Sequence, residues 1–171
     1  MFDRSEGTVE IDHERTQARL ITNRPSEALR RRWRPLVIGG GGGLGKSLAS
    51  ALRDAGAQVA IVGRSERVKA ERDGMVPIVR DLAVPGAASE VVAECTQLFG
   101  GLDILVNAHG IAPRAEAEEF DLASWQTTID INLVSVFSMC QAAGREFLRA
   151  RRGKIINIAS MLELFGRTLC L

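Results

Sequence analysis

Five consecutive glycines, Gly39 to Gly43, followed by Leu44 and Gly45, are the residues of this chain best suited to do chemistry. They follow an apolar run, Leu36-Val37-Ile38, and precede a helical pattern of Leu44, Leu48, Ala49, Leu52 and Ala55. A strand, a glycine turn and a helix in that order bring backbone N–H groups and the positive end of a helix to a phosphate. Glycine is needed there because a Cβ would hold the backbone away from the ligand. The chain is therefore expected to bind a nucleotide.

Two phosphate motifs overlap in this stretch. Gly40 through Ser47 match GxxxxGK[ST], in which Lys46 would hold the β/γ-phosphates and Ser47 a Mg²⁺ ion. Gly39, Gly43 and Gly45 also have the spacing GxxxGxG of a dinucleotide turn. A P-loop enzyme needs a further carboxylate for Mg²⁺, typically an Asp closing an apolar strand. The apolar runs here close in Val62-Gly63-Arg64, Val106-Asn107-Ala108 and Ile158-Ala159-Ser160, without an Asp. Lys46 and Ser47 then read as solvent-facing residues of the first helical turn, and no metal site is expected.

The elements that must position this turn alternate along the chain. Strands are expected at 36–38, 59–62, 76–79, 104–107 and 155–158, with helices near 44–55, 86–99 and 122–150. The strands are continuously apolar and β-branched, as in a parallel sheet covered on both faces. The fold class is therefore α/β, a doubly wound parallel sheet of the Rossmann type. Residues 1–34 differ: they are charged, aperiodic, and end in Arg30-Arg31-Arg32-Trp33-Arg34. They are expected to be a flexible or loosely helical extension, its basic cluster solvated rather than touching a phosphate or an acidic partner. The domain proper is expected over 35–171.

Bulk properties bound the function. The chain has 171 residues, 46% hydrophobic residues and a net charge of +1. Near-neutral charge gives no reason to expect nucleic-acid binding, and no apolar run has the length of a membrane span. The N-terminus carries no signal-peptide pattern and is too acidic for a transit peptide. Three cysteines, Cys95, Cys140 and Cys170, form no CxxC, which suggests reduced thiols in a cytoplasmic setting.

Further motifs carry a family resemblance. Leu102 through Gly110, with Asn107-Ala108-His109-Gly110, resembles the NNAG motif of short-chain dehydrogenases/reductases. Asp130-Ile131-Asn132-Leu133 resembles their helix asparagine motif. Gly153 through Ser160 resembles their fifth strand, which ends in the catalytic serine, and Asp81-Leu82 resembles their adenine-holding pair. The order and spacing of these motifs are the specific part, and the resemblance covers 35–171. It implies that Gly39, Gly43, Leu44 and Gly45 cradle the pyrophosphate, and that Asp81 and Leu82 flank the adenine. Asn107, Ala108 and Gly110 would shape the floor under the nicotinamide ribose. Asn132 would hold a water of the proton relay, and Ser160 would bond the substrate oxygen. Each has a blander reading: Asn107 could tie two strands together, Asn132 could bridge within its helix region, and Ser160 could be a strand-end hydroxyl. His109 stands where the family has a small residue, and reads as a tolerated variant.

The resemblance also implies a nicotinamide cofactor, a small-molecule substrate and homo-oligomeric relatives. NAD-specific members place an acid after the second strand to accept from the ribose 2′-OH. Here Gly63 and Arg64 stand there, and a guanidinium suits a 2′-phosphate, so NADP is expected over NAD. The chain departs from the family in two places. Ile38 replaces the usual Thr ahead of the turn. The tyrosine and lysine of YxxxK fall beyond Leu171, and these residues include no tyrosine. The fold is thus expected to be incomplete at its C-terminal end and catalysis crippled, with the strand at 155–158 left as an edge. An oxidoreductase, a non-catalytic dinucleotide-binding module, an unstable fragment and a P-loop NTPase all stay open at this point.

Overall fold

The computed structural model describes residues 9–12, 17–20, 32–70 and 73–160. Arg30, Arg31 and the stretch 161–171 lie outside the described residues. The chain divides into two compact units, Met1–Arg32 and Trp33–Leu171.

In the first unit, β1 (Val9–Asp12) and β2 (Gln17–Leu20) pair antiparallel. Strand pairing therefore stands where the sequence suggested flexible or loosely helical chain. The cause is local: apolar and polar residues alternate in both segments, and the register sets Val9 against Leu20 and Ile11 against Ala18.

The second unit runs β3 (Pro35–Ile38), α1 (Gly43–Asp54), β4 (Ala60–Gly63), α2 (Arg67–Ala70), β5 (Val76–Val79) and α3 (Ala87–Phe99). It continues through β6 (Ile104–Asn107), α4 (Leu122–Ile129), α5 (Ser135–Ala150) and β7 (Lys154–Asn157). The five strands form one parallel sheet in the order β5-β4-β3-β6-β7. The chain leaves β3 for β4 on one side and later returns to β6 on the other. A sheet wound both ways from a central strand opens a crevice at that strand's carboxyl end.

Alternation along β3, β4, β5 and β6 feeds two cores. Leu36, Ile38, Val62, Ile78 and Leu105 pack with Val91, Cys95, Met139 and Phe147 of α3 and α5. Val37, Ile61 and Val106 pack on the other face with Ala49 and Val68, against which Leu48 and Leu52 are also packed. Burial on both faces explains why the strands carry no polar alternation.

The amino ends of β3 and β6 are joined by an ion pair. Arg34 donates from Nε to Asp103 Oδ2 at 2.7 Å, from Nη2 to Oδ1 at 3.0 Å, and from Nη1 to the Gly100 carbonyl at 2.7 Å. Asp103 is 1% exposed. The last arginine of the basic cluster thus has its acidic partner within the same unit, and it belongs to the domain rather than to the extension.

The helical stretch 122–150 is not continuous. A π turn, Asp130–Val134, separates α4 from α5, and the Ser135 N–H reaches back to the Asp130 carbonyl. That bond spans one residue more than a helical bond and bulges the backbone outward. At one edge of the sheet, β7 pairs with β6, and Ile155, Ile156 and Ile158 are 40–45% exposed.

Candidate functional site

A cleft of about 300 Å³ opens at the carboxyl ends of β3, β4 and β6, bounded by Gly39, Gly42, Gly63, Arg64, Ala108 and Gly110. Its volume falls within the range of small-molecule sites. The glycine turn forms one wall because Ile38 ends β3 and Gly39 adopts φ +77°, which turns the chain across the strand ends. The Gly39 N–H bonds the Val62 carbonyl at 2.8 Å, so the turn is anchored to β4. A Cβ on Gly39 would stand 3.1 Å from the Ala108 carbonyl and from His109 Cα. A Cβ on Gly45 would run into the Gly39 carbonyl oxygen. The turn, the first turn of α1 and the loop after β6 are thus packed backbone to backbone.

Helix α1 begins after Gly42 without a side-chain cap. Its first N–H groups, which no helix can satisfy internally, have no capping side chain to accept from them at this end. Among the described residues, the charged side chains lining the cleft are Arg64 and Arg80, with no carboxylate. Arg80 is tethered sideways, with Nη2 donating to Glu94 at 3.2 Å and Nε 3.7 Å from Glu90. The arrangement suits a ligand with phosphate groups: donors at a helix end, backbone without side chains, and guanidinium at the rim.

Of the residues nominated from sequence, Gly39, Arg64, Leu82, Ala108 and Gly110 line this cleft. Gly43, Leu44 and Gly45 form the start of α1 beside it. Asp81 precedes Leu82 and uses Oδ1 to accept from the Ala83 N–H at 3.0 Å, which shapes the bend that carries Leu82. Asn107 is 2% exposed, and its amide donates to Asn157 Oδ1 at 2.9 Å, joining β6 to β7. Its contribution in this structure is to hold two strand ends together. Asn132 bonds the backbone of Ile111 twice: Oδ1 accepts from N–H at 2.9 Å, and Nδ2 donates to the carbonyl at 2.7 Å. Ser160 follows β7 and is exposed, and neither it nor Asn132 lines the cleft. Lys46 and Ser47 do not line it either.

Sequence reasoning passed over Arg80, Ile111 and Ser135. Arg80 could have been found from its place beside Asp81-Leu82 at a strand end. Ser135 had no local signal. Its hydroxyl donates to the Ile131 carbonyl at 2.6 Å and meets His109 Nε2 at 2.6 Å. Burial holds His109 below the ordinary histidine pKa, so the neutral ring is favoured.

Comparison with known proteins agrees with this geometry. The family model for short chain dehydrogenase matches residues 35–169. The chain is 38% identical over 140 residues to a 2-dehydro-3-deoxy-D-gluconate 5-dehydrogenase of Bacillus subtilis, covering 77% of this chain and 54% of that protein. It is 41% identical over 137 residues to a D-threitol dehydrogenase of Mycolicibacterium smegmatis, covering 73% and 51%. The chain thus spans about half the length of these relatives. Among solved structures, a candidate NAD(P)-dependent gluconate 5-dehydrogenase from Beutenbergia cavernae, with NADP bound at low occupancy, superposes with a TM-score of 0.73 at 34% identity. That match covers 79% of this chain and 57% of the other. The doubly wound sheet, the glycine turn at its switch point and the match across 35–169 together establish that the chain belongs to the short-chain dehydrogenase family.

Proposed function

We propose that this chain forms the cofactor half of an NAD(P)-dependent oxidoreductase that moves hydride to or from the carbon of a small alcohol or ketone, with a sugar-derived substrate favoured. The observation that carries the reading is the cleft itself. It lies at the switch point, a glycine turn and an uncapped helix end form its wall, and arginines are its charged lining. The relatives named for a sugar acid and a polyol support the substrate class.

The residues present fit a dinucleotide. Gly39, Gly43, Leu44 and Gly45 would hold its pyrophosphate, Asp81 and Leu82 its adenine, and Ala108 and Gly110 its ribose. Asn107 supports that floor from below through its bond to Asn157. Arg64 would take a 2′-phosphate, which favours NADP over NAD. When bound, the nicotinamide supplies hydride exchange. The chain's own residues then have to orient the reacting carbon and manage the proton on its oxygen. Ser160 would donate to that oxygen. Asn132 keeps one N–H and one lone pair beyond its bonds to Ile111, enough to hold a relay water. These 171 residues include no tyrosine, so the family's acid–base group is not among them. On their own they are expected to turn over about 10²–10⁴-fold below a member with that group.

Thermal melting with NADPH, NADH and Mg-ATP added separately tests the reading. An upward shift with NADPH larger than that with NADH is expected, since ligand at about 100 times its Kd adds about 2.7 kcal/mol. A shift with Mg-ATP alone would overturn it in favour of the P-loop reading, and no shift with any of the three would remove the nucleotide function altogether.

A further inference from the structure

The loop after β6 supplies one wall of the cleft, and two side-chain contacts hold it to the π turn. One is the double bond of Asn132 to the Ile111 backbone. The other runs through His109, where the resemblance expects a small residue. This second contact is made at the end of the π turn. Because the Ser135 N–H bonds the Asp130 carbonyl, it no longer serves the Ile131 carbonyl as a helical residue would. The Ser135 hydroxyl donates there instead, at 2.6 Å. Ser135 is 2% exposed, so that carbonyl has no easy access to water.

The hydroxyl has one proton, and it goes to Ile131. His109 must therefore donate to Ser135 Oγ from Nε2, which fixes the ring as the Nε2–H tautomer. Among the described residues, Nδ1 is then a buried acceptor with no hydrogen-bond partner. His109 is half-buried and itself lines the cleft, so the Nε2 bond fixes the ring beside the site. A Cβ on Gly39 would stand 3.1 Å from His109 Cα, so the His109 backbone lies close beside the glycine turn while its side chain reaches the π turn.

We propose that His109 is a positioning residue: through Ser135 it latches the wall of the cleft to the π turn, and so sets the affinity of the cleft for a dinucleotide. The proposal rests on the dinucleotide reading given above.

The test compares NADPH dissociation constants, by fluorescence titration, for the wild-type chain, His109→Ala, His109→Gln, Ser135→Ala and the double alanine variant. All are measured well below their melting temperatures, so that loss of fold is not read as loss of affinity. His109→Ala is expected to weaken binding about three- to tenfold, the worth of one hydrogen bond. His109→Gln keeps an N–H donor for Ser135 and should bind within about twofold of wild type. The double variant should be no weaker than either single one. Unchanged affinity in His109→Ala, no rescue by Gln, or additive losses would each overturn the latch. Should the wild type bind no dinucleotide, the functional reading fails separately. The latch is then judged by amide hydrogen exchange at residues 109–111 of the free chain. Faster exchange in His109→Ala, restored by Gln, supports it, and equal exchange overturns it.

Discussion

Arg64 and His109 show how much a single side chain can decide here. Arg64 is exposed at the end of β4, the position at which a carboxylate would select the ribose 2′-OH. Arg64→Asp is expected to reverse the preference between NADPH and NADH by about tenfold or more, because charge-assisted hydrogen bonds are among the strongest available. Titration of both cofactors against both proteins checks this, and an unchanged ratio would count against the assignment. His109 carries a pH prediction. Its folded pKa lies below the 6.5 of a free ring, because burial disfavours the charged form. Between the two values the unfolded chain binds a proton that the folded chain does not, so stability falls as pH drops from about 6.5 toward the folded value. Below that value both states are protonated and the dependence ends. A melting series from pH 7.5 to 5 should show this loss, and His109→Gln should flatten it.

At the scale of elements, the glycine turn and α1 behave as one unit. Gly45 lies in α1 with no room for a Cβ, since the Gly39 carbonyl occupies that space. Gly45→Ala must push helix and turn apart, at about 1–3 kcal/mol, and should weaken dinucleotide binding as well. Gly144 lies in α5 with open space around it. Gly144→Ala should instead raise stability by ~0.5–1 kcal/mol through helix propensity. Opposite shifts in melting temperature are expected for the same chemical change, and a loss from both would mean that close approach is not what Gly45 provides. The break between α4 and α5 belongs to this scale too. At that break the Ser135 hydroxyl bonds both the Ile131 carbonyl and His109, tying the start of α5 to the loop after β6.

The whole molecule presents apolar surface on two sides of the second unit. Leu133 and Phe137, one turn apart, are 61% and 64% exposed, and Leu148 is 81% exposed. On the sheet, Ile155, Ile156 and Ile158 lie on or beside an edge strand. Exposed apolar side chains and, among the described residues, an unpaired strand edge both favour association. The 171-residue chain is therefore expected to self-associate, as read by light scattering over a concentration series. Leu133→Lys with Phe137→Lys, or Ile156→Lys, should raise the concentration at which association begins. Variants that associate like the wild type would place the contact elsewhere.

The sequence by itself determined the class of sheet and the place of the phosphate turn. Apolar runs of β-branched residues, punctuated by glycine, admit few other classes of fold, and Gly39 and Gly45 are legible because the turn they make depends on neighbours close in the chain, whereas Arg64 and Leu82 are legible only through the family resemblance. The strand pairing at 9–12 and 17–20 was legible in principle from alternation, but short segments in charged surroundings do not announce a partner. Only the tertiary structure decided what Asn107, Asn132 and Arg34 do. Their partners, Asn157, Ile111 and Asp103, are 50, 21 and 69 residues away, and no local pattern links them. The same holds for His109. It reads as a tolerated substitution in a motif until a π turn, invisible in helical periodicity, brings a buried hydroxyl to its ring.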